Sequence, residues 1–486
     1  MTTLVLACGH CNVPESVSSL SLDVPDRLVW DANLCGRSER ILRQSIAPDT
    51  NVVFLVGPDL DQQVTLAEDA VGAGIHPLRI RFLDAWRLSP DRDSLVTHLR
   101  AVIAGMRTRG SVELMPSRST NRFRGHLPRR SVVLPHRRYR APLPRVDSSR
   151  CRAASGCDLC IRACPAQAIA KGTPPHVDPA TCTSCGLCLA ACPVGAIGHP
   201  SMDFRTFEAE AEQLAASPHR NLLVVCTPVL TGLTPKVLPS DSAMWRILEV
   251  PSLGALRPEK VLRLLAKGFD RVIGLAQRDC CPGTPGPFAV VAAFLEGFGY
   301  AGCVAHWDLQ EGPVPSAWSL PPPRAVPPFG DLDSLAQAAT MIPDAGVDLV
   351  PLPGPGAGVI EIDADRCTFC GLCAERCGSE ALAIEESPSD ELVLRFDHGR
   401  CDGCGLCIGI CPERALTLRT AVDKRVIGRP VVLKEDVWVI CRSCGARVAP
   451  RSMVAQVTAR TKVSVDIDLC PDCKPRQLLA GFPSKR

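Results

Sequence analysis

The sequence predicts a multidomain protein of mixed α/β and α+β class. It has two α/β domains with mainly parallel sheets, two small domains each built on a pair of four-cysteine runs, and a small C-terminal β domain. Three observations carry this. Short apolar stretches alternate with amphipathic ones over residues 1–110 and again over 218–310. Sixteen of the 27 cysteines fall into four runs, arranged as two pairs. Four more cysteines form two Cys-x2-Cys pairs near the C-terminus. A chain of 486 residues suits this division, since ordinary domain sizes give about three to five domains.

In the first α/β region, residues 1–115, Thr3–Ala7, Val52–Val56 and Leu78–Phe82 read as strands and Ser94–Met106 as an amphipathic helix. In the second, residues 201–312, the expected strands are Leu222–Val225, Ile247–Val250 and Val272–Leu275, with a helix at Pro258–Lys267. Residues 116–145 carry nine arginines, from Arg118 to Arg145, and no acid. That composition cannot build a core and reads as a linker, with docking to an acidic partner or to nucleic acid as the alternatives. Residues 313–358 are rich in proline and glycine and read as a semi-rigid spacer. Within it, Gly354-Pro355-Gly356-Ala357-Gly358 follows no strand and opens no helix, so it fails as a dinucleotide loop.

The four runs are Cys151-x5-Cys157-x2-Cys160-x3-Cys164, Cys182-x2-Cys185-x2-Cys188-x3-Cys192, Cys367-x2-Cys370-x2-Cys373-x3-Cys377 and Cys401-x2-Cys404-x2-Cys407-x3-Cys411. Spacings of two, two and three suit four thiolates around an iron–sulfur cube, the last thiolate reaching a neighbouring cluster. The runs occupy residues 146–200 and 359–420, where Ala381–Glu385 and Leu392–Asp397 read as a hairpin between the third and fourth. An Ala-Ile or Ala-Leu pair follows each run, at Ile169, Ile197, Leu382 and Leu416.

Each run resembles the ligand motif of bacterial two-cluster ferredoxins. The resemblance implies two ferredoxin-like dicluster domains, four [4Fe–4S] clusters and crossed ligation. One cluster would take Cys151, Cys157, Cys160 and Cys192, and its neighbour Cys182, Cys185, Cys188 and Cys164. The second domain would repeat this with Cys367, Cys370, Cys373 and Cys411, then Cys401, Cys404, Cys407 and Cys377. Two departures stand out. The first run has Ala154 where the usual second ligand would be, and the third continues into Gly378 where the other three have proline.

Over residues 425–486, Cys441-x2-Cys444 and Cys470-x2-Cys473 form two metal knuckles separated by a stretch that reads as β-rich. Four thiolates fit zinc or a single iron. The pattern resembles zinc ribbons and rubredoxins. No Phe, Tyr or Trp lies between Gly445 and Leu469, which favours the zinc ribbon over the aromatic core of a rubredoxin.

Cys226 ends a strand, Pro251-Ser252-Leu253-Gly254 follows another and Asp279-Cys280-Cys281 a third. With the helix from Arg257 to Lys267 and Gly268-Phe269-Asp270, the segment 218–310 resembles the iron–sulfur delta subunit of methyl-viologen-reducing hydrogenases. That family works with heterodisulfide reductase and binds a [2Fe–2S] cluster. Here Ser252 stands where one cysteine is expected, leaving Cys226, Cys280 and Cys281. The expectation stays open between a further cluster and a docking domain with buried thiols. The N-terminal region, with Cys8, Cys11 and Cys35, more weakly resembles the start of the flavin-binding subunit of heterodisulfide reductase, which carries another iron–sulfur site there.

A formal charge of +3 gives no global field toward nucleic acid or an anionic membrane. No apolar run reaches the roughly 18–20 residues needed to span a bilayer, and no signal peptide is legible. Dense thiolates in ligand spacing call for a reducing compartment, so the expected location is cytoplasmic. No flavin, nicotinamide or substrate site is legible. The expected role is an iron–sulfur electron-transfer subunit of a soluble oxidoreductase complex, of the heterodisulfide-reductase or hydrogenase-associated kind. Its partners would be other subunits and a low-potential electron carrier. A self-contained flavin-dependent reductase and a redox-responsive nucleic-acid-binding regulator are the alternatives.

Overall fold

The computed structural model describes residues 3–8, 50–56, 79–84, 92–108, 143–183, 185–198, 204–218, 220–226, 245–276, 286–315, 324–329, 334–343, 346–461 and 469–475, with parts of 27–45 and 65–75. The chain forms two compact units, residues 1–151 with 158–331 and residues 152–157 with 332–486.

In the first unit, β1 (Thr3–Cys8), β2 (Arg27–Asp31), β3 (Asn51–Val56) and β4 (Ile80–Asp84) form a wholly parallel sheet ordered β2-β1-β3-β4. Helices α1 (Ser38–Ser45) and α2 (Arg92–Thr108) belong to it. The expected strands and helix are all present, to within a few residues. Strand β2, with a charged residue at each end, adds a fourth strand that the apolar pattern does not mark.

The first cysteine domain follows, as two short antiparallel pairs. β5 (Arg145–Val146) pairs with β8 (Ile197–Gly198), and β6 (Ile169–Ala170) with β7 (His176–Val177). Arg145, which the sequence places at the end of the linker, instead opens β5. The remainder of the arginine-rich segment, through residue 142, lies outside the described residues.

Next comes α3 (Phe204–Ala215), then a second parallel sheet of β9 (Asn221–Cys226), β10 (Trp245–Val250), β11 (Arg271–Ala276) and β12 (Val304–Asp308). Its order is β10-β9-β11-β12, the same topology as the first sheet. The central strands β9 and β11 are buried along their whole length, as parallel strands covered on both faces must be. Helices α4 (Pro258–Ala266) and α5 (Pro287–Gly297) each open on proline, whose missing N–H costs nothing at a first helical position.

The two sheets meet through α2 and α3. The ring of His98 on α2 accepts the backbone N–H of Ile247 on edge strand β10 at 3.0 Å, which blunts that edge. Arg81 on β4 lies 3.3 Å from Glu210 on α3, and this carboxylate holds the largely buried guanidinium above its ordinary value.

In the second unit, α6 (Leu335–Met341) is capped by Ser334, whose hydroxyl accepts from Gln337 N at 3.1 Å and donates to Gly399 O at 2.8 Å. β13 (Leu349–Pro351) and β14 (Val359–Ile362) follow, then the hairpin β15 (Leu382–Glu386) and β16 (Glu391–Phe396). β17 (Leu416–Arg419) pairs with β14, and β18 (Ala421–Asp423) with β13. β19 (Val431–Ile440) adds to β16, and β20 (Arg447–Pro450) adds to β19, giving the sheet β15-β16-β19-β20. Helix α7 (Arg451–Thr461) follows.

Two segments differ from the sequence expectation. The stretch 313–358 is not a spacer throughout. α6 buries Leu335, Ala336, Ala338 and Ala339, and β13 is paired. Its alanines supply an apolar face despite the surrounding prolines, and Pro351 ends a two-stranded pairing where a missing donor is tolerated. Among its described residues, the interval between the C-terminal cysteine pairs is not β-rich either, because α7 occupies most of them. Its valines and threonines favour a strand, but the Asp436 carboxylate accepts Ser452 N at 3.0 Å and fixes the helix start. Tertiary contact overrides propensity.

His398 is the buried tie of this unit. Its Nδ1–H donates to Gly358 O at 2.8 Å, and its Nε2 accepts Asp423 N–H at 2.9 Å, a pattern only the neutral ring can make. Burial pushes its pKa down, in keeping with that. The Gly354–Gly358 stretch therefore ends packed rather than loose: a Cβ on Gly358 would lie 3.1 Å from Gly403 Cα and 3.3 Å from Cys401 Sγ. Replacing His398 by Phe keeps a ring but strands two buried backbone groups, at roughly 1–3 kcal/mol each. The expected outcome is a loss of about 2–6 kcal/mol by denaturant unfolding, while His398→Asn loses less.

Candidate iron–sulfur and metal centres

All four cysteine runs are entered through one device. An aspartate lies four residues before the first cysteine of each run, at Asp147, Asp178, Asp363 and Asp397. Its carboxylate accepts the backbone N–H two residues on: Ser149 at 2.9 Å, Ala180 at 2.9 Å, Asp365 at 3.1 Å and Gly399 at 2.9 Å. In the first three runs the aspartate carbonyl also takes the first cysteine's N–H, at 3.0, 3.0 and 3.1 Å, while Cys401 N donates to His398 O at 3.2 Å. These bonds hold Asp147, chiefly through the Ser149 hydroxyl, and Asp178, chiefly through Ala180 N–H, below the usual carboxylate range. Sequence reasoning missed these residues, though Asp-x3-Cys recurs four times.

Three of the short helices that carry the middle cysteines begin at a left-handed glycine directly after the second cysteine: Gly186 (φ 76°), Gly371 (78°) and Gly405 (71°). The first run, with its longer spacing, differs. Asp158 takes that place at φ −131°, after a 3₁₀ turn at Ala153–Ser155 and Gly156 at φ 84°.

Every run closes on a left-handed residue three places after its last cysteine: Gln167, Gly195, Glu380 and Arg414, with φ of 51°, 56°, 53° and 49°. That turn aims the next N–H at sulfur. Ala168 N donates to Cys164 Sγ at 3.3 Å, Ala196 N to Cys192 Sγ at 3.2 Å and Ala415 N to Cys411 Sγ at 3.3 Å. At Cys377, where glycine replaces proline, the Ser379 hydroxyl lies 3.6 Å from the sulfur.

The loops crowd thiols together. A partly open cavity is lined by Cys367, Cys370, Cys373 and Cys411, joining the first three cysteines of the third run to the last of the fourth. Burial pushes the Cys373 thiol up to about 12, with Cys367, Cys407 and Cys370 adding to it. Burial likewise lifts Cys188 to about 12, with Cys185, Cys182, Cys160 and Cys164 adding their effect. Cys407 rises to about 11, through burial and then Cys377. Clustered buried thiols are unfavourable as thiolates unless a cation compensates them, and a thiolate-bound iron–sulfur group does so. The donor set fits that group.

Residues 150–196 match the family model described as a 4Fe-4S dicluster domain. Residues 360–383 and 394–417 match the model described as a 4Fe-4S binding domain. Both regions are ferredoxin-type 4Fe–4S domains. They give the chain an iron–sulfur electron-transfer role. A search of the curated proteins finds no match to the chain. Among the described residues, no helix is long and apolar enough to cross a membrane.

The C-terminal cysteines make a different kind of site. The Sγ atoms of Cys441, Cys444, Cys470 and Cys473 all lie within 4.8 Å of one another, and Cys444 and Cys470 are 3.7 Å apart. Tetrahedral bonds of about 2.3 Å to one ion place thiolates about 3.8 Å apart. The quartet thus has the size for a single ion, zinc or iron, and not for a cube. Cys441 follows β19, and the N–H of Cys470 draws its thiol down to about 6.

Among the α/β cysteines, Cys226 ends β9, fully buried, and its sulfur accepts Leu253 N–H at 3.3 Å. Ser252, also buried, accepts Gly254 N–H at 3.2 Å and opens a 3₁₀ turn. That turn abuts the cysteine helix Leu187–Ala191: a Cβ on Gly186 would come within 2.7 Å of Ala255. Cys8 closes β1, the strand equivalent to β9 in the matching topology. Cys11, Cys35, Cys280 and Cys281 lie outside the described residues. Cys303, which the sequence does not single out, is buried, donates to Arg324 O at 3.4 Å and is pushed up to about 11 by burial. It behaves as a structural thiol.

Cys444→Ser is expected to remove about one metal equivalent, because structural sites of this kind need all four ligands. Elemental analysis checks this, and the iron–sulfur absorbance is expected to stay close to wild type.

Proposed function

We propose that the chain relays single electrons through four [4Fe–4S] clusters as one component of an oxidoreductase complex. The cavity that joins Cys367, Cys370 and Cys373 to Cys411 carries the reading, because it is the crossed arrangement a dicluster domain requires. The same crossing assigns Cys401, Cys404, Cys407 and Cys377 to the second centre of that domain. In the first domain it assigns Cys151, Cys157, Cys160 and Cys192, then Cys182, Cys185, Cys188 and Cys164. The C-terminal quartet holds a structural zinc or single iron. The partners are other subunits and a low-potential carrier, in a complex of the heterodisulfide-reductase or hydrogenase-associated kind that residues 218–310 resemble.

Cysteine sulfur supplies all sixteen ligands, the loops keep them aimed, and the clusters when bound supply the one-electron chemistry. Anaerobic purification from the native cell with iron, sulfide, zinc and flavin analysis tests the reading. About sixteen irons with equal sulfide are expected, with no flavin. Eight or fewer irons would mean that one whole unit is not loaded and would overturn the four-cluster count, and stoichiometric flavin would favour a self-contained flavin-dependent reductase. Cys411→Ser is expected to lower the iron content by about four by removing the centre of the third run.

A further inference from the structure

The two centres of the second dicluster domain sit in unlike electrostatic surroundings. This inference rests on their being iron–sulfur clusters. Both sets of sulfurs collect backbone N–H donors: Phe369, Ala374 and Ala415 serve Cys367, Cys373 and Cys411, while Gly403, Leu406 and Ile408 serve Cys401, Cys404 and Cys407. Amide bonds therefore do not separate the two. Charge and burial do.

At the Cys367 side, the Lys434 ammonium on β19 donates to Ala364 O at 2.7 Å and Cys367 O at 2.6 Å. The one acid lining that cavity, Glu413, is neutralised by Arg460, and its carbonyl accepts from Arg366 at 2.6 Å. Cys370 is exposed. At the other side, Asp402 lies between Cys401 and Cys404, and its carboxylate accepts Cys404 N at 3.3 Å. It bears electrostatically on Cys401, Cys404 and Cys407 together. Among the four runs, only this one has an acid between its first two cysteines. Cys401 is buried, and the nearby His398 ring is neutral.

Reduction adds one negative charge to a cluster. A neighbouring ammonium and open solvent favour that charge, and a neighbouring carboxylate and burial oppose it. We infer that Lys434 and Asp402 split the pair: the centre on Cys367, Cys370, Cys373 and Cys411 has the higher reduction potential, and electrons cross this domain toward it. In each crossing the Cys401 centre is oxidised by one electron and the Cys367 centre is reduced by one. No proton or bond changes place.

The test is an anaerobic, EPR-monitored redox titration of the full-length holoprotein, comparing wild type with Lys434→Gln, Asp402→Asn and the double variant. Each variant is read by difference, so only the signal moved by the substitution counts. Lys434→Gln is expected to move one signal to lower potential and Asp402→Asn to move a different, lower-lying signal upward. The double variant narrows the gap between them. Lys434→Arg and Asp402→Glu, which keep the charge, should leave both signals in place.

Unmoved signals, a single signal answering both substitutions, or a reversed order would overturn the inference. A neutral variant short of iron also counts against it, because the residue then serves loading. Wild-type iron and sulfide content tests the cluster reading separately, so failure of one is distinguishable from failure of the other.

Discussion

Thiols gathered under cover are the constraint on which each ferredoxin-type 4Fe–4S domain depends. A buried thiolate loses hydration, and several together repel, so the arrangement is stable only when a metal group compensates. The same cysteines also make up much of the interior. In the first domain Cys160, Cys188 and Cys192 share a small core with Ile169, Ala196 and Ile197. A domain of this size buries too little apolar surface to stand comfortably alone, and thiolate–metal bonds take over part of that role. The remaining design problem is then to hold three thiols of one loop at fixed aim. Aspartate turns at the entry, left-handed glycines before three of the helices, and N–H···S closures at three of the four exits answer it with backbone rather than side-chain packing.

The second unit adds an outer layer to this frame. Ser334, His398 and Lys434 are its fasteners, and each acts on the backbone of a cysteine loop or its approach. Ser334 bonds Gly399 O, and His398 joins Gly358 to Asp423. Gly358 in turn presses on Cys401 and Gly403. In the first unit a comparable service comes from a whole domain, since the 3₁₀ turn after β10 lies against Gly186 and Leu187. Both ferredoxin-type domains are thus braced from outside, by unrelated means.

What can be read beforehand follows from how local each signal is. Ligand chemistry dictates cysteine spacing directly, so the runs and the C-terminal quartet are plain in the sequence. The parallel strands are also legible, because burial on both faces leaves continuous apolar runs such as Leu222 to Val225. Asp147, Asp178, Asp363 and Asp397 form a visible repeat, yet an acid beside a loop has no distinctive chemistry by itself. α6 is hidden by the prolines around it, and α7 by β-branched residues whose helical state depends on the Asp436 carboxylate. Lys434 carries no signal of its own, since its role depends on β19 pairing with β16.

That pairing gives the C-terminal site a structural meaning. β19 passes Lys434 beside the Cys367 loop and then runs on to Cys441. β19 also carries Asp436, which sets the start of α7, and α7 returns Gln456 to Asp365 O at 2.8 Å and Arg460 to Glu413. Three contacts from one sheet-and-helix layer therefore converge on the loop and wall of a single cluster cavity. A metal held by the quartet at the end of β19 would fix the far end of that strand against fraying. The quartet needs no redox chemistry of its own to matter: by holding β19 and the turn toward α7, it would keep the Lys434 ammonium beside the Cys367 loop.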